Sequence, residues 1–355
     1  MLFRSIARLF QQHGGYTIHA VADYFPEVAD AVGTMLGVAP NRRFSGLSGY
    51  KRLYESGIEA VALETPPWFL PEQARLAVAA GLHVYMAKPV AVDVPGCQIV
   101  ERAAAAASAR QRCFLVDYQI PTDPHNREIV DRVGRGEIGA VIALNSHYYA
   151  GQFGDPPLTD TIVSRLRSLI WVNDVALGGG YHVNACIHAV DAALWVAGAR
   201  PFRAFGLSRT SRPDPHGDSH DVFQLLFEFE NGLLWTHRGK HLNNLTGFDV
   251  ACEIQGESGY GEIRYGGKAF LKSREEGCSG EVLNPYEAGA VRNIAQFHTA
   301  VVQRDFSNDT VRRSIDGALA TILGREAGRR RAELTMADLL QESVELKVSL
   351  AGLKD

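Results

Sequence analysis

Val84-Tyr85-Met86-Ala87-Lys88-Pro89-Val90-Ala91 decides the fold, because an apolar run ends there in a lysine that is followed by proline. Proline disfavours the helical conformation in the residue before it, so Lys88 is predicted to lie at the carboxyl end of a strand. Ligands bind at that edge of an open α/β sheet. Lys88 is therefore a candidate functional residue, although a solvated lysine that ends a strand is an equally simple interpretation of this stretch alone.

Strand and helix patterns alternate on both sides of this stretch. Strand patterns cover residues 17–23, 60–67 and 111–118, and helix patterns cover residues 26–36, 71–80 and 94–107. Proline stands in the first turn of the first two helices, and Gly81 follows the second as a helix end. Alternation of this kind predicts a parallel sheet with helices on both faces and right-handed crossovers.

The pattern changes after Tyr118. A short helix over residues 126–135 is followed by strand composition in six segments, which are residues 141–149, 202–210, 222–230, 232–237, 249–255 and 262–265. Two helices, residues 289–304 and 311–329, come near the end. Since 355 residues exceed the size of a usual single core, the sequence predicts two domains, residues 1–119 and 120–355. The second is predicted to be an α+β domain whose last helices pack on the first.

Charge and composition exclude several classes of partner. The formal net charge is -4 and the basic residues are scattered, so nucleic acid is not expected to bind. No apolar stretch approaches the length of a membrane helix. Five cysteines without a C-x-x-C pair predict neither a disulfide framework nor a zinc site, and a reducing cytoplasm is expected. Residues 1–10 are basic and amphipathic, which suits a first crossover helix that ends at Gly14-Gly15, or else a transit peptide.

A second group of polar residues lies in a predicted helix over residues 180–196. Asn184 and His188 are four residues apart and Asp191 is three further on, so all three are predicted to share one stripe of that helix. A polar stripe is unusual in an otherwise apolar helix. The alternative interpretation is a core histidine whose imidazole is hydrogen-bonded by Asp191.

The order of these motifs resembles the Gfo/Idh/MocA oxidoreductases, the relatives of glucose-fructose oxidoreductase and inositol dehydrogenase. The matching motifs are Ala20-Val21-Ala22-Asp23, Thr65-Pro66-Pro67, the Lys88-Pro89 strand end and Gly178-Gly179-Gly180 with the residues up to Asp191. The resemblance runs from about the tenth residue to the segment 324–328. It implies a Rossmann-like α/β domain that binds a dinucleotide, followed by a domain whose large, mainly antiparallel sheet binds substrate and mediates homo-oligomer formation.

The resemblance also implies roles for individual residues. The family's catalytic positions match Lys88, His188 and Asn184. Its positions at the cofactor match Asp23, Thr65, Pro66, Pro67, Lys88 and Pro89. Two further residues, Asp191 and His182, would support the site or line it. No metal is implied. An acidic residue at Asp23 would bind the adenine ribose and repel the extra phosphate of NADP, which favours NAD. Its alternative role is to cap a turn.

The function that the resemblance implies is NAD-dependent hydride transfer to or from a hydroxyl-bearing carbon of a sugar, cyclitol or related polyol. Oxidation of an alcohol requires a base for the hydroxyl proton, and the ordinary pKa of histidine suits His188 to that task. Lys88 would stabilise the alkoxide, but a buried lysine also exchanges protons, so the identity of the base stays open between the two.

Two departures from the family pattern affect cofactor binding. No G-x-G-x-x-G turn precedes the first predicted strand, so we expect that the family's first Rossmann strand lies upstream of Met1 and that this chain binds NAD weakly. The Rossmann-like domain is thus expected to be incomplete at its amino terminus. The family usually has glutamate where Ala87 stands, which predicts the loss of a charge partner for Lys88.

Three alternative functions stay open. Some members of the family hold NAD permanently and cleave glycosides by oxidation and elimination. A metal-dependent hydrolase could use the His216-Gly217-Asp218-Ser219-His220-Asp221 segment as its ligands, although Pro213, Pro215 and Gly217 give this segment the composition of a hydrated loop. A protein that binds sugars or partners without catalysis is the third.

Overall fold

The structure, a computed structural model, describes residues 2–167 and 170–355. Met1, the first residue of the predicted amphipathic helix, lies outside these ranges. The elements up to the end of the parallel strands are α1 (Leu2–His13), β1 (Val21–Asp23), α2 (Pro26–Leu36), β2 (Arg43–Ser45), α3 (Gly49–Tyr54), β3 (Ala60–Leu63), α4 (Leu70–Ala79), β4 (His83–Ala87), α5 (Val94–Ala109) and β5 (Phe114–Asp117).

The parallel strands form two sheets and not the single sheet that the sequence predicted. One sheet pairs β1 with β2, and the other has the order β3-β4-β5. Within the described ranges, neither β1 nor β2 is hydrogen-bonded as a strand to β3, β4 or β5. The first strand is also shorter than predicted, because residues 17–20 have no neighbouring strand with which to form hydrogen bonds. Helix α2 has the predicted bounds, and Gly37 ends it at a φ of 73°.

The remaining elements are α6 (Pro124–Gly134), β6 (Val141–Ala150), α7 (Val175–Gly178), α8 (Gly180–Asn184), α9 (Ile187–Ala197), β7 (Arg203–Arg209), β8 (Val222–Glu228), β9 (Leu234–His241), β10 (Asp249–Gly256), β11 (Tyr260–Arg264), β12 (Gly267–Lys272), β13 (Cys278–Val282), α10 (Pro285–Gln303), α11 (Asp309–Arg330), β14 (Leu334–Thr335) and α12 (Met336–Glu342). Nine of these strands form one sheet, in the order β13-β12-β11-β10-β6-β9-β8-β7-β14. Only β6 and β9 are parallel neighbours in it. The predicted α/β class with a large, mainly antiparallel sheet is confirmed.

One face of the large sheet is open. Along β7, buried and exposed residues alternate, as in a sheet with one face on the core and one in water. The open face carries exposed apolar side chains, namely Ile142, Phe205, Leu207, Leu226 and Leu234. A homo-oligomer formed through this sheet stays a prediction.

Helix α11 joins the two sheet systems. At its start the hydroxyl of Thr310 accepts a hydrogen bond from the Val116 amide in β5, with a distance of 3.0 Å. Near its end the buried guanidinium of Arg325 donates to the carbonyl oxygens of Val92, at 3.0 Å, and Gly179, at 3.1 Å. The helix therefore holds the segment after Lys88 against the loop between α7 and α8. In the described ranges, no helix is both long and apolar enough to cross a membrane.

Candidate active site

Three ionisable residues stand at the carboxyl ends of neighbouring parallel strands. Leu63 is paired with Met86 in the register of β3 and β4, and Ala87 is paired with Asp117 in that of β4 and β5. Glu64 and Lys88 each follow the last residue of their strand directly. The register therefore places the carboxyl groups of Glu64 and Asp117 on either side of the strand end that carries Lys88.

A break in a predicted helix supplies a polar contact for Lys88. The helix predicted over residues 180–196 is wrong, because α8 ends at Asn184 and α9 begins at Ile187. The carbonyl oxygen of a residue at a helix end has no partner within the helix. That of Asn184 accepts a hydrogen bond from the Lys88 ammonium, at 3.0 Å. The two predicted residues, 96 positions apart in sequence, thus meet through the Asn184 backbone.

Burial and charge bring the pKa values of Lys88 and Glu64 together. Burial lowers the pKa of Lys88 to about 8, although the carboxyl groups of Asp117 and Glu64 and the thiol of Cys186 act to raise it. Burial and the Asp117 carboxylate raise the pKa of Glu64 to about 8, against the opposite effect of Lys88. The protonation states of the two groups are therefore coupled.

Asp117 is the carboxyl group of this cluster with the most hydrogen bonds. Burial raises its pKa, but hydrogen bonds from Asn293 and Gln119 and the charge of Lys88 oppose this effect. The Gln119 amide donates to Asp117 Oδ2 at 2.9 Å. Neither Glu64 nor Asp117 was predicted as a site residue. The available signal was their position in the carboxyl-terminal half of the predicted strand patterns 60–67 and 111–118.

The imidazole of His188 lies in an aromatic pocket beside Lys88. Its ring centroid is 4.9 Å from that of Tyr265 and 6.2 Å from that of Tyr148, to which it is nearly parallel. Burial and the Lys88 charge hold its pKa well below the usual value. Nδ1 of His188 has no hydrogen-bond partner within the described ranges. The interpretation of His188 as a core histidine bonded by Asp191 is therefore wrong.

Asp191 and His182 face other parts of the protein. The buried Asp191 carboxylate pairs with the Arg313 guanidinium, 2.8 Å away, so it links α9 to α11. His182 was predicted to line the site, but its ring is completely buried and stacks on Phe223, with 4.8 Å between centroids. It also lies beside His237. His182 therefore packs against strands β8 and β9 of the large sheet.

The predicted cofactor residues occupy the turns at the ends of β1, β3 and β4. Asp23 Oδ1 accepts a hydrogen bond from the Phe25 amide at 2.8 Å, so Asp23 caps a turn, as its alternative role required. The Thr65 hydroxyl donates to Gln73 Oε1 at 2.6 Å. Pro66 and Pro67 form the connection between β3 and α4, and the carbonyl oxygen of each accepts a turn hydrogen bond. Pro89 is buried directly after Lys88.

A basic residue that the sequence analysis missed lies near Asp23. The guanidinium of Arg167 stacks on the Phe25 ring, 3.6 Å from its centroid, and forms an ion pair with Glu27. Burial raises the pKa of Asp23, and the positive charge of Arg167 opposes that rise. Because Arg167 is more than 140 residues from Asp23 in sequence, no local pattern could have revealed this contact.

The segment that suggested a metal-dependent hydrolase does not form a ligand set. Asp221 pairs with Arg212, and the ring of His220 hydrogen bonds to the Ser208 hydroxyl at 2.7 Å. His216 Nδ1 contacts the carbonyl oxygen of Asp155 at 2.8 Å, and Asp218 Oδ1 accepts from the Val175 amide. Each of these side chains has a separate protein partner, so the segment does not form the ligand set that the alternative of a metal-dependent hydrolase required.

Known proteins resemble both the sequence and the fold. The family model described as the GFO/IDH/MocA C-terminal domain matches residues 126–262. The inositol 2-dehydrogenase of Klebsiella pneumoniae (strain 342) is 24% identical over 260 residues, which cover 73% of this chain and 69% of that protein.

Solved structures share the whole architecture. Levoglucosan dehydrogenase in complex with NADH and levoglucosan has a TM-score of 0.77 and 15% identity, and the match covers 94% of this chain and 96% of that one. KijD10, a 3-ketoreductase from Actinomadura kijaniata in complex with TDP-benzene and NADP, has a TM-score of 0.64 and 17% identity, with 89% of each chain covered.

Proposed function

Because the chain belongs to the Gfo/Idh/MocA family of oxidoreductases, we propose that it transfers a hydride between NAD and a hydroxyl-bearing carbon of a sugar, cyclitol or related polyol. The observation that carries the proposal is the meeting of Lys88, Asn184 and His188 at the carboxyl edge of the β3-β4-β5 sheet. The inositol dehydrogenase and levoglucosan dehydrogenase relatives support the substrate class. Residues 1–119 would bind the dinucleotide and residues 120–355 the substrate.

Buried polar atoms without partners support a ligand in this place. Among the described residues, Glu64 Oε1, Asn184 Nδ2 and His188 Nδ1 have no hydrogen-bond partner. Each such atom costs about 1 to 3 kcal/mol unless a ligand or water satisfies it. NAD, when bound, would supply the hydride acceptor. Asp23, Thr65, Pro66 and Lys88 would hold it at the ends of β1, β3 and β4.

The pKa values suggest how the protein moves the hydroxyl proton. With a pKa of about 8, the Lys88 amine is the stronger base and takes the proton as the hydride leaves. His188 is neutral, since its pKa is well below the usual value, and accepts a hydrogen bond from the substrate. The Asn184 carbonyl oxygen fixes the position of Lys88 Nζ, and the Asn184 amide donates to a neighbouring substrate hydroxyl.

The proposal is tested by incubating the purified chain with NAD and a panel of hexoses, sugar lactones and cyclitols, and by measuring NADH formation and dinucleotide affinity. We expect NADH with at least one polyol, and formation slower by a factor of about one hundred or more with a Lys88→Met variant. Failure of the wild-type chain both to bind NAD and to reduce it would contradict the proposal. The NADP-bound ketoreductase neighbour makes NADP the necessary second cofactor in this panel.

A second candidate is glycoside cleavage by transient oxidation with a cofactor that stays bound. The observation that favours it is a segment, residues 344–354, that lies across the same sheet edge. The distinguishing measurement is whether a glycoside is cleaved without release of NADH. Appearance of free NADH in proportion to product would exclude this candidate.

A further inference from the structure

An extended segment follows α12 and crosses the carboxyl ends of the parallel strands. Near its start, the Leu346 amide donates to Asp93 Oδ2 at 2.8 Å, and the Leu346 carbonyl oxygen accepts from Trp68 Nε1 at 2.8 Å. Trp68 follows the Thr65-Pro66-Pro67 turn, and Asp93 begins α5 soon after Lys88. These two contacts fix the segment above the ends of β3 and β4.

The far end of the segment reaches the other parallel sheet. The Lys354 carbonyl oxygen accepts a hydrogen bond from the Leu47 amide at 3.0 Å. The Lys354 amide donates to the Tyr24 hydroxyl at 3.2 Å. Tyr24 is next to Asp23, and Leu47 follows the end of β2. Residues 344–354 therefore span the carboxyl ends of β1, β2, β3 and β4.

The side chains of the segment alternate like those of a strand with one covered face. Leu346, Val348, Leu350 and Leu353 are partly buried, and Val348 packs against the main hydrophobic core. Glu345, Lys347 and Ser349, which alternate with the first three of these residues, are exposed. An apolar face on the protein and a polar face in water are typical of a cover that docks by burial of its apolar residues.

The segment contacts the rim of the proposed dinucleotide site. Its hydrogen bonds go to Tyr24, Leu47, Trp68 and Asp93, and the residues proposed to touch the cofactor, such as Asp23, Thr65 and Lys88, have other partners. A segment fixed at both ends and docked on the rim covers a ligand bound beneath it. Release of that ligand requires the rim contacts to open first.

We propose that residues 344–354 form the outer wall of the dinucleotide site and slow the release of bound NAD or NADH. This inference rests on the proposed function, because the occupant of the site is the dinucleotide. Its consequence is slow exchange of the bound dinucleotide with free NAD or NADH.

The primary test keeps the full chain and removes the two side-chain anchors. A Tyr24→Phe and Trp68→Phe double variant loses the hydroxyl that accepts from Lys354 and the indole N–H that donates to Leu346. We expect NADH and ADP-ribose to dissociate from it about tenfold faster than from the wild type, measured by stopped-flow displacement. Tyr260→Phe, in β11 far from the segment, is the matched control and should dissociate at the wild-type rate.

A truncation after Ser343 gives the second measurement, with thermal unfolding as the check on folding. We expect a larger increase in the dissociation rate than in the double variant. An unchanged rate in both variants, or tighter binding after truncation, would overturn the proposal, the latter because it would show that the segment occupies the site. If the wild type binds neither NADH nor ADP-ribose, the proposed function fails as well.

Discussion

Two regions of the protein bury charged side chains, and they do so in different ways. At one end of the large sheet, Asp155 pairs with Arg165 at 3.2 Å and with Arg212 at 2.8 Å, while Asp221 pairs with Arg212 and with His241 at 3.1 Å. Every charged group there faces an opposite charge. At the carboxyl edge of β3-β4-β5, the site around Lys88 contains three polar atoms without hydrogen-bond partners in the described ranges, namely Glu64 Oε1, Asn184 Nδ2 and His188 Nδ1.

The pKa values show the same contrast. Burial acts to raise the pKa of Asp221, but hydrogen bonds from His241, Ser211 and Arg212 lower it to about 2. At the other edge burial prevails, so the pKa of Glu64 rises and that of Lys88 falls. A buried charge that is fully paired keeps its ordinary protonation state and supports the fold, whereas an incompletely paired one is ready to exchange protons with a ligand.

The largest expected effect is a loss of stability when one carboxylate is removed from the paired cluster. Asp221→Asn removes the anion between Arg212 and His241. The Asp155 carboxylate then faces two guanidinium groups, those of Arg165 and Arg212, so one buried positive charge is left uncompensated. We expect a loss of about 3 to 5 kcal/mol in the free energy of unfolding, measured by denaturant titration. Asp214→Asn, on an exposed carboxylate of the same loop, is the control and should change little. A small loss for Asp221→Asn would mean that this network does not support the fold.

At the active-site edge the expected effect is on turnover. Lys88→Met and His188→Ala should each lower kcat by a factor of about one hundred or more. The first removes the proposed base, and the second removes the proposed hydrogen-bond acceptor for the substrate hydroxyl. Both variants should unfold cooperatively, and neither should melt at a lower temperature than the wild type. Wild-type turnover by either one, on a substrate that the wild-type chain oxidises, would contradict the site assignment.

Lys88 should also make stability depend on pH. Its folded pKa of about 8 is below the ordinary value of 10.5, so the unfolded chain binds more protons between these values. Stability contributed by Lys88 therefore rises with pH through that window and is lowest below pH 8. After allowance for solvent screening, Lys88→Met should be more stable than the wild type at pH 7 by about 1 to 2 kcal/mol. An equal or lower melting temperature at pH 7 would contradict this expectation.

A charge-relocation experiment tests the coupling between Glu64 and Lys88. Lys88 faces Asp117, Glu64, the Cys186 thiol and His188, and Glu64→Gln removes one group that raises its pKa. The midpoint of the Lys88 titration, followed by NMR of labelled lysine, should fall by about one pH unit.

Adding Ala87→Glu to Glu64→Gln should restore the midpoint, since Ala87 is paired with Asp117 and adjoins Lys88. Glu59→Gln, on an exposed glutamate before β3, should leave the titration unchanged. A midpoint unchanged by Glu64→Gln would show that the two groups do not interact. Glu64 would then not serve as the charge partner of Lys88 in place of a glutamate at position 87.

The smallest expected effect concerns the choice between NAD and NADP. Arg167 places a positive charge near Asp23, which weakens the repulsion of the extra phosphate of NADP. Arg167→Ala should raise the preference for NAD by about threefold, as expected for one partly exposed charge. The measurement is a competition titration, with Arg274→Ala in an exposed loop as the control. A shift of the preference towards NADP in Arg167→Ala would rule out this role.

Local signals predicted much of the fold and part of the candidate site. Proline in the first turn and a terminal glycine predicted the bounds of helix α2 correctly, and the Lys-Pro pair predicted the end of β4 to within one residue. The pairing of β12 with β13 was missed, because the short polar segment 278–282 has no strand pattern of its own. The single helix over 180–196 failed because composition does not reveal a one-turn break at Ala185 and Cys186.

The sequence by itself determined many of the elements and singled out Lys88, Asn184 and His188 as candidates, since helix ends, strand ends and residue types depend on neighbours in the chain. Only the tertiary structure decided which groups share a site. Strand register places Glu64 and Asp117 beside Lys88. Asp191 forms an ion pair with Arg313 and not a hydrogen bond with His188. Residues 344–354 lie across a sheet edge whose strands come some 300 positions earlier in the chain. Burial and pairing across such separations set the pKa values, because both depend on distances in space that no local pattern encodes.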